Sequence, residues 1–524
     1  MTAPAPARRS VLARALDGIE RVGNRLPDPV TLFALFAGMV LVVSWVTAGL
    51  GVAAVHPGTG ATVESVNLLS GAGLRRILTE AVRNFANFPP LGLVIVVIIG
   101  IGVTERSGLV TVALKRLVSA VPPSLLTATL VFGGVMSSLA VDAGYVVLIP
   151  LGAMVFAAVG RHPLAGLAAA FAGVSGGFSA NLLITSLDPL LSGISTTAAQ
   201  LVDPAYEVLA TANYYFMVAS VFLITGLGTL VTARIVEPRL GVWRPEDASE
   251  PIDVSLGEVT PVERRGLRAA GLTFVLFLVL VAILVVPENG LLRNPEAAGR
   301  PLMEQIRPFL DSIVSLLMIL FLVCGIVYGV IVGTIKSDRD VARMSAEGVA
   351  VLGSYIVLAF AAAQFIAWFN WSNLGLILAI KGADGLKALQ FTGVPLLLSF
   401  ILVAAAINLF IGSASAKWAV MAPVFVPMLM LLGYSPETVQ AAYRVGDSST
   451  NIITPLMQYF PVIIAFAMKY DRKAGIGTLI SSMLPYSVAF LIGWGLMFAI
   501  WMLAGLPFGP GAPLYYAPGG MAVP

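Results

Sequence analysis

The chain has 524 residues, yet it holds one cysteine and two histidines, and only 11% of it is charged. The lone Cys324 excludes an intrachain disulfide. His56 and His162 are too few for a histidine-rich metal site. The run from Gly173 to Gly177 reads G-x-S-x-G, but no histidine stands in an apolar segment to act as its base. The composition therefore argues against an intramembrane enzyme. What remains is 58% hydrophobic, with several runs longer than the ~18 residues that cross a hydrocarbon core as helix. Runs of that length read as helices rather than strands of a barrel. Arginines ahead of the first run mimic a signal peptide. That run is too long and lacks a small-residue cleavage site, so it reads as an uncleaved first span.

The expected fold is an all-α polytopic membrane protein with nine transmembrane helices, two re-entrant hairpins and an inverted structural repeat with broken helices. Spans 1 to 9 are placed at 29–51, 90–105, 164–187, 213–234, 269–287, 309–335, 346–370, 438–466 and 475–505. Two further apolar stretches, 124–159 and 390–432, have small or polar centres: Ala140-Val141-Asp142-Ala143-Gly144 and Gly412-Ser413-Ala414-Ser415-Ala416-Lys417. Each reads as a hairpin that turns at mid-membrane, which is tolerated only inside protein or beside water. With the N-terminus inside, cytoplasmic segments hold 21 Lys and Arg and outside segments eight, as positive-inside sorting requires. Only Lys417 and Arg444 stay unplaced, both in the polar core of the second half. The expected divisions are a cytoplasmic tail (1–28), a first half (29–234), a cytoplasmic linker (235–268) with no fold of its own, frame spans (269–335), a second repeat unit (346–505) and an outside tail (506–524).

The repeat is visible in residues. Ser179-Ala-Asn181-Leu-Leu recurs as Ser449-Thr-Asn451-Ile-Ile at an offset of 270, and Pro150 and Pro163 recur as Pro423 and Pro436 at 273. Interrupted hydrophobic segments in corresponding places of two halves point to a secondary transporter and its binding site. In the inverted reading, hairpin 1 enters from the cytoplasm and hairpin 2 from outside, while spans 1, 5 and 6 form a frame.

A charge at mid-bilayer costs roughly 2.5–3.5 kcal/mol on insertion scales, so each one asks for a reason. The candidates are Asp142, Asp188, Lys417, Arg444 and Asp447. The run Arg444-Val-Gly446-Asp447-Ser-Ser-Thr-Asn451 is expected to break span 8 and leave carbonyls unpaired. Asp447 and Asn451 at i, i+4, with Asn408 and the Gly412 carbonyl, make a hard-oxygen set suited to an alkali cation. A plainer reading has Arg444 and Asp447, at i, i+3, neutralising each other. In the first half, the run Gly173–Asn181 breaks span 3, exposing helix N-termini that suit an anion. The plainer reading there is a glycine-packed crossing with hydroxyls bonded to backbone. Asp142 matches Ser415 across the repeat, and Tyr145 matches Trp418. Trp418 either stacks on an aromatic substrate or packs. Asp188-Pro189 reads as a turn at the outer interface, and Lys417 stays unassigned.

The segments 173–189 (GVSGGFSANLLITSLDP), 412–423 (GSASAKWAVMAP) and 443–455 (YRVGDSSTNIITP) resemble the p-aminobenzoyl-glutamate transporter (AbgT) family, and the likeness runs from about residue 20 to 510. The resemblance implies a bowl-shaped homodimer with nine spans and two hairpins per subunit, similar to the wider ion-transporter group that includes sodium/dicarboxylate symporters. It implies a sodium site at Asn408, Gly412, Asp447 and Asn451. It also implies a substrate path lined by Asp188, Ser415, Trp418, Arg444 and Pro455, to which the repeat adds Ser179 and Asn181. Members are associated with uptake of p-aminobenzoyl-glutamate or export of sulfonamide antimetabolites. The expected protein is a bacterial inner-membrane carrier with its N-terminus cytoplasmic and its C-terminus outside. It would be coupled to Na⁺ or H⁺, with no cofactor beyond a bound Na⁺ and no nucleic-acid partner. A sodium/dicarboxylate symporter and a passive channel are the alternatives within transport.

Overall fold

The computed structural model describes residues 29–517 except 56–59, 120, 140–143, 245–247, 249–258, 298–299, 301, 351, 455–456, 458 and 473. Asp142 and Pro455 lie outside the described residues.

Span 1 is α1 (Pro29–Gly49). A short ribbon follows, β1 (Ala53–Val55) antiparallel to β2 (Thr62–Glu64), with Ala54 opposite Val63. The amphipathic α2 (Gly71–Ala86) buries none of its residues and leads into α3 (Pro89–Arg106), which is span 2. The expected loop beyond it is partly helical, as α4 (Leu109–Ser119). Hairpin 1 consists of α5 (Leu126–Met136) and α6 (Ile149–Ala158), with a 3-10 turn at 137–139 and a π turn at 144–148 between them.

Span 3 is two short helices. α7 (Pro163–Phe171) runs into a π turn at 172–176, residues 177–186 are non-helical, and α8 (Leu187–Ala199) resumes. The predicted end of span 3 at 187 is therefore the start of its second helix. Span 4 is α9 (Tyr214–Val231), extended by a π turn at 232–236. α10 (Pro261–Val285) begins ahead of the predicted 269 because Thr260 and Glu263 form a capping box. α11 (Arg307–Val332) is span 6. Span 7 is the pair α12 (Asp338–Ala350) and α13 (Gly353–Trp371), bent by 47°. α14 (Leu374–Ala388) fills the expected outside loop.

Hairpin 2 is α15 (Gly393–Asn408) and α16 (Ala414–Met430), joined by a non-helical turn at 409–413. Ser413 caps α16 by accepting from Ala416 N. Span 8 is α17 (Pro436–Asn451) and α18 (Phe460–Tyr470), and span 9 is α19 (Ile476–Leu503). Among the described residues six helices are long and apolar enough to cross a bilayer, and the bent pair makes a seventh. Spans 3 and 8 fall short of that length because each is broken.

One expectation is corrected. The run 444–451 does not break span 8; it is continuous helix, and the described residues of 452–459 are the non-helical ones. Gly446 serves close packing instead. A Cβ there would stand 2.4 Å from the Ile401 carbonyl oxygen of α15. In span 3 the glycine-packed crossing is real: a Cβ on Gly173 would stand 2.3 Å from Val131 O of α5.

The helices sort into two sets. α3 packs on α11 and α12, α10 on α11, and α1 on α13. α15 packs on α17, α8 on α16, and α9 on α19. Spans 2 and 7 side with spans 1, 5 and 6, the hairpins group with spans 3, 4, 8 and 9, and the two sets meet where α8 packs on α3.

Candidate functional site

The first half of span 8 lies wholly inside protein: every residue of α17 is buried. Ser435 starts it by accepting from Thr438 N, and Pro436 occupies the first turn where its missing N–H is harmless. Once started, the helix carries Arg444, Asp447, Thr450 and Asn451 into the centre of the molecule. Buried charges there need partners.

The partners come from other elements. Asp447 does not pair with Arg444. Its Oδ1 takes Lys417 Nζ of α16 at 2.5 Å, and both side chains are fully enclosed. Arg444 reaches across to span 3, where its Nη2 pairs with Oδ1 of Asp188. Asp188 Oδ2 accepts from Thr185 N at 2.6 Å and Thr185 Oγ1 at 3.0 Å. Asp188 is thus no exposed interface turn. It is a buried anchor in the first turn of α8, where a helix N-terminus favours a negative charge.

Asn408, at the end of α15, faces α17. Its Nδ2 lies 2.7 Å from Asp447 O, 2.9 Å from Thr450 Oγ1 and 2.8 Å from Asn451 Oδ1. An amide nitrogen has two hydrogens, so three acceptors around it exceed what it can satisfy. Its Oδ1 is buried without a partner. This cluster of oxygens fits a small hard cation. Gly412 stands in the half-buried turn beyond Asn408, and Thr454 Oγ1 donates to Asn408 O at 2.7 Å. The structure thus joins Asn408, Asp447 and Asn451 and adds Thr450, while the Asp447 carboxylate itself is taken by Lys417.

Four of the buried side-chain atoms without a partner belong to this centre: Ser179 Oγ, Asn181 Oδ1, Asn408 Oδ1 and Arg444 Nε. Ser179 and Asn181 lie in the break of span 3, and Ser179 N donates to Ser448 Oγ of α17 at 3.1 Å. Buried polar atoms are almost always satisfied in native proteins, so a group of orphans marks a place where water, an ion or a ligand supplies the missing partners.

Trp418 is fully buried. Its ring lies 4.4 Å from that of Tyr443, and its Nε1 donates to Ser195 Oγ at 3.0 Å. With no exposed face it forms a wall of the centre. Tyr145, its counterpart in the expected repeat, stacks on Tyr459, in the break of span 8, at 4.3 Å and 8°. Ser415 is half-buried beside Ser413, 3.2 Å between hydroxyls. Reading along the sequence missed the Tyr145–Tyr459 stack and the Ser175 hydroxyl that meets Met457 Sδ at 3.2 Å, because no spacing rule links residues so far apart. An apolar cavity of about 270 Å³, lined by Leu183, Ile184, Phe274 and Phe309 among others, lies between the break of span 3 and helices α10 and α11. It carries no charge.

A many-helix apolar chain with a charged, incompletely satisfied centre between two broken spans has the architecture of a membrane transporter. A model described as the AbgT putative transporter family matches residues 14–516. The chain belongs to the AbgT transporter family. It is 39% identical over 493 residues to the p-aminobenzoyl-glutamate transport protein of Escherichia coli (strain K12), covering 94% of this chain and 95% of the relative. The crystal structure of the Alcanivorax borkumensis YdaH transporter, reported for an unusual topology, superposes with a TM-score of 0.86 at 48% identity, over 92% of this chain and all of that one. The Neisseria gonorrhoeae MtrF structure, described as illuminating a class of antimetabolite efflux pumps, superposes at 0.89 with 49% identity, over 95% of this chain and all of that one.

Proposed function

We propose that this protein is a cation-coupled secondary transporter of p-aminobenzoyl-glutamate or of related aromatic amide and sulfonamide antimetabolites, working by alternating access. The observation that carries the reading is the group of orphaned buried atoms beside the Arg444–Asp188 and Lys417–Asp447 pairs. Arg444 is held at one end by Asp188, and its free Nε offers a donor to a substrate carboxylate or sulfonyl oxygen. Ser179 and Asn181 supply further contacts from the break of span 3. Trp418 and Ser415 wall the path, and the resemblance adds Pro455 as a further candidate for its lining. Asn408, Thr450, Asn451 and the Asp447 carbonyl, with Gly412 near by, hold the coupling cation. Nine crossings, two hairpins and the inverted repeat give the frame, with the N-terminus cytoplasmic, the C-terminus outside and two copies forming a dimer in a bacterial inner membrane.

The names of the similar proteins support both substrate classes, transport of the conjugate and efflux of antimetabolites. Sodium/dicarboxylate symport is less well served, since both buried cations already hold carboxylates. The test is flux of radiolabelled p-aminobenzoyl-glutamate and of a sulfonamide in proteoliposomes, with sodium and proton gradients imposed separately and in each direction. Gradient-dependent flux of either compound is expected. Succinate flux without flux of either would overturn the assignment, and gradient-independent currents would make it a channel.

A further inference from the structure

At its other end α17 carries a second ionisable group. Glu437 sits in the first turn of the helix, one residue outside the predicted span 438–466, and is 3% exposed. Among the described residues no cation pairs with it. Its Oε2 accepts from the Tyr206 hydroxyl at 2.9 Å. The C-terminal segment straps over this end. Ser435 Oγ donates to Pro513 O at 2.5 Å, Thr438 Oγ1 donates to Leu514 O at 2.9 Å, and Tyr516 N donates to Gly433 O at 2.8 Å. The Tyr516 ring meets Tyr206 at 5.8 Å, and its hydroxyl points to Asp203 Oδ2 at 3.4 Å.

Nothing else nearby neutralises this carboxylate. α15 and α19, which pack on α17, contain no charged residue. The one charge of α8, Asp188, holds Arg444, and the one charge of α16, Lys417, holds Asp447. Among the described residues Tyr206 is the titratable group that meets Glu437 from another segment, Tyr516 and Asp203 lie next behind it, and none is a cation. A buried charge without a counter-ion is costly, and a proton removes the cost. The Tyr206 hydroxyl and the helix N-terminus favour the charged form. Both forms are thus supported at one site. Water is one side chain away, since Tyr206 is half-exposed and Pro204 and Ala205 are exposed.

The site is also tied to the centre. Asn213 Nδ2 donates to Glu437 O at 2.8 Å, and its Oδ1 accepts from Gln440 Nε2 at 2.9 Å. Gln440 Oε1 accepts from Ser195 Oγ at 2.6 Å, and Ser195 Oγ accepts from Trp418 Nε1. Amides do not conduct protons, so this ladder transmits position.

We propose that Glu437, with Tyr206 as its hydrogen-bonding gate, is the proton-binding group of this carrier, distinct from the paired Asp447. The proposal rests on the coupled-transport reading above. Glu437 takes up a proton from one side of the membrane when the strap end is hydrated, and releases it to the opposite side when the carrier is in its other state. The ladder carries the change to Trp418 and the substrate centre.

The experiment compares wild type, Glu437→Gln and Tyr206→Phe in proteoliposomes, reading substrate counterflow at equal pH, net flux driven by a pH gradient, and the pH profile of net flux. Glutamine mimics the protonated form and keeps the acceptor for Tyr206. In Glu437→Gln, counterflow persists while pH-driven flux falls by about tenfold, the size of a modest coupling free energy. Its pH profile loses the wild-type inflection. Tyr206→Phe keeps the inflection but moves it to higher pH, because the charged form loses a donor. An unchanged pH-driven flux and profile in Glu437→Gln overturns the proposal. So does loss of counterflow together with net flux, which marks a structural role. Wild type without pH-driven flux overturns proton coupling itself, a failure read before any variant is made.

Discussion

Removing the Lys417 ammonium while keeping Asp447 is the sharpest perturbation the centre offers. In Lys417→Met the Asp447 carboxylate loses a partner at 2.5 Å. It retains only Tyr443 Oη and Asn451 Nδ2, each at 3.5 Å, too far for strong bonds. Breaking a buried pair on one side costs about 3–5 kcal/mol, whereas replacing both members with apolar groups is close to neutral. Lys417→Met should therefore lower the apparent melting temperature of detergent-solubilised protein markedly, and Lys417→Met combined with Asp447→Leu should restore most of it. The double variant should remain inactive in flux assays, separating stability from function. Arg444→Met should cost less, about 1–3 kcal/mol, because Asp188 keeps both Thr185 donors. Melting curves for single and double variants form a cycle that isolates the pair. If Lys417→Met melts like wild type, or if the two single losses simply add, the enclosed pair is not coupled and the argument fails.

Ser179→Ala should barely change stability, within about 0.5 kcal/mol, because its hydroxyl has no partner to lose, yet it should raise KM for transport; a drop in melting temperature with unchanged KM would show the orphan to be structural. Gly446→Ala should cost about 1–3 kcal/mol by forcing α17 off the Ile401 carbonyl, read as a lower melting temperature with and without substrate. Sodium at a hundred times its dissociation constant should stabilise wild type by about 2.7 kcal/mol and Asn408→Ala far less, with potassium as the control. Equal shifts in both proteins would remove Asn408 from the cation site.

The long apolar runs, the hairpins and the broken spans were legible because each leaves a local trace: hydropathy over a full crossing, or small residues inside it. Lys417 and Arg444 stood out as the basic residues that no loop could hold. Their partners were not legible. Asp188 lies 256 residues from Arg444 and Asp447 lies 30 from Lys417, so the i, i+3 neighbour looked like the natural mate. Helix geometry puts Arg444 and Asp447 near one another, but each finds its partner on another element, Asp188 of α8 for Arg444 and Lys417 of α16 for Asp447. Glycine and serine weaken an isolated helix, which predicts a break of span 8 at 444–451, earlier than the one the structure has. In a helix surrounded by protein, Gly446 is spared that cost by the close approach of α15, and the Ser449 hydroxyl donates back to Val445 O. The strap over Glu437 left no pattern at all, since it is backbone pairing by an irregular Pro- and Gly-rich segment.

Charge balance at the centre links these observations to coupling. Lys417 and Arg444 are matched one for one by Asp447 and Asp188, so the empty centre is neutral. Both pairs join elements of the set formed by hairpin 2 and spans 3 and 8, so a shift of that set against the helices around α3 and α11 need break neither. In the proposed cycle an anionic substrate adds uncompensated negative charge to this body. Carrying one charge through the field costs about 2.3 kcal/mol per 100 mV, besides its desolvation. A cation at Asn408 offsets that charge within the same body without requiring Asp447 to release Lys417, and a proton at Glu437 removes the one unpaired carboxylate of α17. In that cycle the substrate-loaded unit crosses readily only with the cation at Asn408 aboard, and the four paired charges of the centre add nothing to the cost of the empty return.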